Sequence, residues 1–141
     1  MATLVVDSSV ALKWFLKEHD ADQAELVLSA GGELLAPDLV LAEVANGLRR
    51  QERANRLPTA KVCIAISGLA SVFAELIPLE LLIVQALEIS QALDHSIYDC
   101  LFLAASRTRN APLVTADTVF VAKVAGTPDA GRVILLANWK P

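Results

Sequence analysis

Four acidic residues have the types and positions to form one chemical site: Asp7, Glu43, Asp99 and Asp117. Their carboxylate oxygens are the ligands preferred by hard cations such as Mg²⁺ and Mn²⁺, rather than by zinc. Two such charges 4 Å apart repel by roughly 1 kcal/mol in water and about 4 kcal/mol at an effective dielectric near 20. No Lys or Arg is adjacent to any of the four in sequence, so a divalent cation is the simplest neutraliser.

These acids can meet only if the chain folds around a mainly parallel sheet. Short apolar runs without in/out alternation predict buried strands at Thr3–Val6, Glu33–Ala36, Ala74–Ile77, Leu113–Thr115 and Val133–Leu136. Helical patterns lie between them, at Val10–Lys17, Asp20–Ser29, Asp38–Arg53, Pro58–Ala70, Leu79–Leu93, Ser96–Arg107 and Asp117–Ala125, with a turn at Gly31-Gly32. This alternation predicts a three-layer α/β domain.

The predicted strands place the acids at one edge of the sheet. Ligand sites in parallel α/β sheets form beyond the carboxyl ends of the strands. Asp7 directly follows the first strand, and Asp117 lies two residues past the fourth. Glu43 and Asp99 fall in the first turns of helices, and helix N-termini at that edge can bring both side chains to the same point. Four carboxylates are therefore expected to converge there.

Three polar residues are expected to support the acids. Ser9 is predicted to bond into the cluster, Asn46 lies three residues after Glu43 on one helical face, and Thr115 lies two residues before Asp117. Neither histidine is placed in the site, because His95 precedes a predicted N-cap and His19 lies in a charged turn.

Each acid also has an explanation that involves no site. Asp7 could cap a helix, although Ser8 or Ser9 is the expected cap. The sequence SIYD, which ends at Asp99, matches a capping box. Asp117 could be a turn residue that starts a helix, and Glu43 an ordinary exposed helical residue. Capping alone does not explain why all four acids should map to one edge.

The charge distribution points to a basic patch. The net charge is −4, yet residues 49–61 hold five cations and one anion, which sum to +4, so the rest of the chain sums to −8. One interpretation is a solvated helix end, where basic residues are favoured. The other is contact with nucleic-acid phosphates, through the arginines Arg49, Arg50, Arg53 and Arg56.

Length and composition set broader expectations. A chain of 141 residues predicts one domain over residues 1–141, and 55% hydrophobic residues exceed the needs of one core, which suggests a partner surface. No apolar run reaches the roughly 18 residues of a membrane helix, and the N-terminus does not resemble a signal peptide. A cytoplasmic protein is expected, with Cys63 and Cys100 as reduced core residues.

Taken together, these stretches resemble the PIN-domain nucleases, most closely the VapC-type toxins of toxin–antitoxin pairs. The resemblance covers nearly the whole chain and depends on the stretches VVDSSVAL (5–12), APDLVLAEVANGLRR (36–50), SIYDCLFLAAS (96–106) and PLVTAD (112–117). The family pattern maps onto Asp7 with Ser9, Glu43 with Asn46, Tyr98-Asp99, and Thr115 with Asp117.

The resemblance implies a PIN fold with strand order 3-2-1-4-5. It also implies Mg²⁺- or Mn²⁺-dependent cleavage of RNA, a homodimer, and a cognate antitoxin whose C-terminal segment lies along a groove near the acids.

Other classes of protein share parts of the pattern. A non-catalytic PIN-like module that binds a protein or RNA is the main alternative. A receiver domain would need an acidic pair ahead of Asp7 and a lysine directly after the last strand, and the chain has neither. A dehalogenase-type phosphotransferase needs an aspartate where Ser9 stands, and a nucleotide-binding protein needs a glycine-rich phosphate loop.

Overall fold

A parallel five-stranded sheet organises the fold in the computed structural model, which describes residues 2–30 and 32–141. The strands are β1 Thr3–Val6, β2 Glu33–Pro37, β3 Glu75–Ile77, β4 Leu113–Thr115 and β5 Val133–Leu135. Their order is β3-β2-β1-β4-β5, and all four pairings are parallel. The predicted sheet and its order are confirmed.

Seven α-helices of the described residues cover both faces of this sheet. They are α1 Ser8–Leu12, α2 Ala21–Ser29, α3 Leu39–Arg53, α4 Thr59–Leu69, α5 Ile83–Leu93, α6 Ile97–Arg109 and α7 Thr118–Val124. Helix α6 packs on β1, β2 and β4, and α5 packs on α6. Helix α1 packs against α3, which in turn packs against α4. The three-layer α/β architecture follows from these contacts.

The core is built around the two central strands and α6. Val5, Val6 and Val114 have no exposed surface, and every residue from Cys100 to Ser106 is buried. Strands buried on both faces explain why β1 and β4 lack an alternating pattern. The prediction for Cys100 is confirmed, whereas Cys63 is exposed on α4 and not in the core.

The first helix is shorter than predicted and begins earlier. It starts at Ser8 because Asp7 takes the N-cap position and accepts a hydrogen bond from Ser9 N, so the prediction that a serine caps this helix was wrong. After Leu12 the chain continues in tighter turns, in which Trp14 N bonds to Ala11 O and Phe15 N to Leu12 O. These three-residue intervals end the α-helix before the predicted Lys17.

Other differences lie at element ends. The helix predicted over 79–93 is a 3₁₀ segment, Leu79–Leu81, followed by α5. Helix α6 extends to Arg109 because Asn110 adopts the left-handed conformation that terminates it, with φ of 49°. The predicted turn at Gly31-Gly32 includes Gly31, which lies outside the described residues.

None of the helices in the part of the chain that the structure describes combines the length and apolar character needed to span a bilayer.

Candidate active site

The candidate site lies where the path of the chain through the sheet reverses. Strand β1 pairs with β2 on one side and with β4 on the other. Ligands of open α/β sheets bind at such a switch point, outside the carboxyl ends of the strands. Here the two strand ends are joined directly, because Thr115 Oγ1 donates to Asp7 Oδ2 at 3.1 Å.

Asp7 is held by a network that leaves one of its oxygens open. Its side chain is 6% exposed, and Oδ2 accepts hydrogen bonds from Ser9 N, Ser9 Oγ and Thr115 Oγ1. Ser9 Oγ in turn accepts from Ala116 N at 3.0 Å, which ties the start of α1 to the end of β4. Ser9 and Thr115 thus make the contacts with the cluster that their positions predicted, and no described residue donates to Oδ1.

Glu43 is brought to the site by close packing of α1 on α3. Its Oε1 accepts a hydrogen bond from Ser8 Oγ at 2.7 Å. A side chain at Gly47, one turn further along α3, would place its Cβ 2.8 Å from the Leu12 side chain. Glycine at this position therefore allows the approach of α1 that connects Ser8 to Glu43. The half-buried Glu43 is not the ordinary exposed helical residue of the alternative interpretation.

Asp99 lies in the first turn of α6, where its partner is a histidine. Its Oδ2 lies 2.6 Å from His95 Nε2. The capping-box interpretation of SIYD is wrong, because Ser96 holds the N-cap position but makes no side-chain capping bond. His95, which was not expected in the site, thus contacts one of the candidate acids. The signal was in the sequence, since His95 precedes Asp99 by four residues, a spacing that can bring side chains together at a helix start.

Asp117 occupies the N-cap of α7. Its Oδ1 accepts from Val119 N at 2.9 Å and from Phe120 N at 3.1 Å, so the helix-starting interpretation is correct for this residue. Its own backbone N donates to Thr115 Oγ1 at 3.1 Å. Asp117 is therefore joined to Asp7 through Thr115, and capping occupies only one of its carboxylate oxygens.

The charge of Asp99 affects the pKa of two other carboxylates. Burial raises the pKa of Asp7 to about 6, against the hydrogen bonds from Ser9, and the charge of Asp99 raises it further. Burial also raises the pKa of Glu43, the Ser8 hydrogen bond lowers it, and the charge of Asp99 again raises it. Asp99 thus links the other two acids. Asp117 contributes to neither shift.

The donor set suits a hard divalent cation, although the carboxylates are not gathered into a formed site. Within residues 2–30 and 32–141, no three His, Cys, Asp or Glu side chains lie together at metal-binding spacing. In each candidate acid, however, only one carboxylate oxygen forms hydrogen bonds with described residues. This holds for Asp7, Glu43, Asp99 and Asp117. The second oxygen of each acid has no such bond. Because no fully buried side-chain oxygen of the described residues lacks a hydrogen-bond partner, these second oxygens must reach solvent.

The charges around the candidate acids also favour a bound divalent cation. In the described part of the chain, neither Asp7 nor Glu43 forms an ion pair with a Lys or Arg. Lys123, a cation six residues after Asp117, bonds instead to backbone oxygens at the end of α5. Oxygen donors whose charges repel and lack a cationic partner fit a bound dication.

The predicted basic patch lies on α3 and the turn that follows it. Arg50, Arg53 and Arg56 are exposed. Arg49 is also largely exposed, but it pairs with Glu52 at 2.7 Å. Asn46 is exposed on the same helix as Glu43, and no hydrogen bond with a described residue fixes its side chain.

Comparison with known proteins places this fold in a family. Residues 4–126 match the PIN domain. The chain is 35% identical over 114 residues to a VapC ribonuclease of Mycobacterium bovis and to ribonuclease VapC9 of Mycobacterium tuberculosis, which covers 81% of this chain and 85% of each relative. A toxin–antitoxin complex from Klebsiella pneumoniae has a similar fold, with a TM-score of 0.66 at 18% identity, over 94% of this chain and 97% of that one.

The chain therefore belongs to the PIN-domain family. Within that family it is of the VapC type, as the resemblance of the sequence predicted.

Proposed function

We propose that this chain is a metal-dependent endoribonuclease toxin held inactive by a cognate antitoxin. The observation that carries the proposal is the hydrogen-bond network at the switch point of the sheet, in which Thr115 joins Asp7 to Asp117 and Ser8 holds Glu43. Relatives named VapC ribonucleases support the choice of RNA as substrate.

Asp7 and Asp99 are the proposed direct ligands of Mg²⁺ or Mn²⁺, with Glu43 and Asp117 binding directly or through water. When bound, such an ion favours deprotonation of an attacking water and stabilises negative charge on the phosphodiester. The chain supplies the oxygens that hold the ion. Ser9 and Thr115 orient Asp7, Ser8 orients Glu43, and Asn46 lies beside Glu43, where it can contact the RNA.

RNA would leave the acids along the exposed face of α3. Asn46, Arg50 and Arg53 follow Glu43 at intervals of three, seven and ten residues, which places them along one side of the helix. Arg56 continues the basic path past the end of α3, and Arg49 lies to one side. Phosphate contacts of this kind weaken steeply with salt.

A groove beside α4 is the proposed docking site of the antitoxin. It has a volume of about 720 Å³, and its walls include the apolar side chains Phe15, Leu57 and Ile64. Three basic residues, Lys17, Arg56 and Lys61, and one acid, Glu18, also line it. An apolar floor with basic residues fits an amphipathic helix that carries acidic side chains on its flanks.

A second apolar surface is the proposed homodimer interface. Leu81, just before α5, and Val84 and Leu87 within it are 62%, 69% and 48% exposed. A two-fold interface places the same patch against itself, so a patch centred on large apolar side chains suits self-association better than the groove, whose basic side chains would repel.

The proposal is tested by RNA cleavage with purified variants. Asp7→Asn and Asp99→Asn should each abolish cleavage in Mn²⁺ while the circular dichroism spectrum stays that of the wild type. Asp22→Asn, a change of the same type on the exposed face of α2, should cleave normally. A site variant that cuts RNA at the wild-type rate would remove that residue from the metal site.

The same assay separates the enzyme from a non-catalytic PIN-like module. A binding module would retain RNA or partner binding in both site variants and would cleave RNA in none, including the wild type. Expression that arrests growth, and relief of that arrest by the neighbouring small open reading frame, would favour the toxin.

A further inference from the structure

Several contacts hold the side chain of His95, which lies in the short segment between α5 and α6. Its side chain is 14% exposed, and its Nε2 lies 2.6 Å from Asp99 Oδ2. Its ring packs against Phe120 of α7, with centroids 5.0 Å apart and planes tilted by 47°. Phe120 N is one of the groups that Asp117 caps. The imidazole therefore contacts the first turns of α6 and α7, where the candidate acids Asp99 and Asp117 lie.

The backbone around His95 is anchored from two sides. Asp94 adopts the left-handed conformation, with φ of 49°, which turns the chain sharply after α5. Lys123 Nζ donates to Asp94 O at 2.6 Å and to Leu93 O at 3.3 Å. His95 N donates to Ser90 O at 3.2 Å, and Ser90 Oγ donates to His95 O. These bonds fix the backbone at His95 independently of the contact between its ring and Asp99.

We propose that His95 is a positioning residue that holds Oδ2 of Asp99 and so leaves Oδ1 available to a divalent cation. This inference rests on the proposed function. Asp99 is the acid that needs such a partner, since its side chain is 31% exposed and the ring supplies its hydrogen bond. A bond to Oδ2 removes the freedom of the carboxylate to rotate, and Nε2–H donation requires no charge on the ring. Outer partners of metal-binding groups change metal affinity roughly 10- to 100-fold when removed.

Two substitutions separate the hydrogen bond from the packing. His95→Phe keeps a ring against Phe120 and loses the donor, whereas His95→Gln loses the ring and keeps an N–H at the position of Nε2. His19→Gln is the matched control, because the His19 side chain is 92% exposed and contacts Asp20 rather than a site acid. Mn²⁺ affinity is measured by calorimetry, and the melting temperature is measured without metal.

We expect His95→Phe to bind Mn²⁺ roughly 10- to 100-fold more weakly than wild type, at a similar metal-free melting temperature. His95→Gln should recover most of the affinity, and His19→Gln should match the wild type. If His95→Phe fails to fold, His95→Leu replaces it as the variant without a donor.

Three results would overturn the inference. Mn²⁺ binding by His95→Phe at wild-type affinity would remove the positioning role while leaving the nuclease proposal intact. Equal weakening in His95→Phe and His95→Gln would make the imidazole a ligand rather than a positioning group. A wild-type protein that neither binds Mn²⁺ nor cleaves RNA would overturn the proposed function, and the inference with it.

Discussion

Asp7 shows that a helix cap and a site residue can be the same carboxylate. One oxygen accepts the bonds that start α1, while the other receives none from described residues. Asp117 divides its oxygens in the same way at the start of α7. From the sequence alone, capping and metal binding are competing explanations for these acids. The structure shows that they are compatible, because a carboxylate has two oxygens and capping uses only one.

The buried carboxylate of Asp7 should make stability depend on pH. Its pKa is raised from 3.8 to about 6, so the folded protein holds this proton more tightly than the unfolded chain. Ionisation of Asp7 therefore lowers the free energy of unfolding. The loss is complete above about pH 6 and absent below pH 3.8. The shift is about 2 pH units at roughly 1.4 kcal/mol each, or about 3 kcal/mol.

Asp7→Asn removes this titration and keeps a side-chain oxygen as acceptor. Between about pH 4 and about pH 7, urea unfolding without metal should show the variant gaining up to about 3 kcal/mol relative to wild type. Asp22→Asn should show a smaller change, since Asp22 is exposed. A constant difference between Asp7→Asn and wild type across this range would contradict the burial of an ionisable Asp7.

Individual contacts were only partly predictable from the sequence. Strand ends predicted that Asp7 and Asp117 would lie beyond neighbouring strands, where Thr115 bonds to both, whereas the convergence of all four acids on one metal stays a prediction. The sequence does not show that Ser8 reaches Glu43 across 35 residues. That contact depends on how closely α1 approaches α3 at Gly47, which only packing determines.

Among the elements, helix α3 joins the acid cluster to the basic surface. A helix rises 1.5 Å per residue, so Arg50 lies about 10 Å along the axis from Glu43. Arg50→Ala combined with Arg53→Ala should weaken RNA binding and make it less sensitive to salt. The log–log slope should fall in magnitude by ~0.7 for each phosphate that the variant no longer neutralises.

Lys140→Ala is the control for this charge change. Lys140 lines a small cavity with Leu4 and Leu34, near the amino ends of β1 and β2, opposite the candidate site. Fluorescence anisotropy of a labelled RNA from about 50 to about 200 mM salt gives the slope. An unchanged slope in the double variant would leave the basic patch as a solvated helix end.

Element boundaries were less predictable than the elements themselves. All five strands and the alternation of helices were predicted correctly, since buried β-branched runs and helical periodicity are strong local signals. The end of α1 at Leu12 was not predicted, because the residues that follow keep an apolar helical pattern. Trp14 Nε1 instead donates to Ala24 O, a tertiary contact that the periodicity cannot reveal.

Across the molecule as a whole, two apolar surfaces should serve two different partners. Ile64 is 71% exposed in the α4 groove, and Val84 is 69% exposed on α5. Ile64→Asp should prevent capture of the proposed antitoxin and leave self-association intact. Val84→Glu should have the opposite effect, because like charges then face each other across a two-fold axis.

Sedimentation velocity and co-purification with the tagged antitoxin measure the two effects separately. Loss of both interactions in both variants, with wild-type circular dichroism, would mean that the surfaces act as one. Unchanged behaviour in both would place the partners elsewhere on the molecule.

The proposed metal site can be located directly by anomalous diffraction from crystals soaked in manganese. We expect a peak beside Asp7 and Asp99, about 2.0–2.3 Å from a carboxylate oxygen of each, as is usual for a hard dication with oxygen ligands. The Asp99→Asn variant should lose the peak or show it weakened. A wild-type crystal soaked in Mn²⁺ with no density at the carboxyl ends of β1 and β4 would rule out the metal site and the nuclease mechanism built on it.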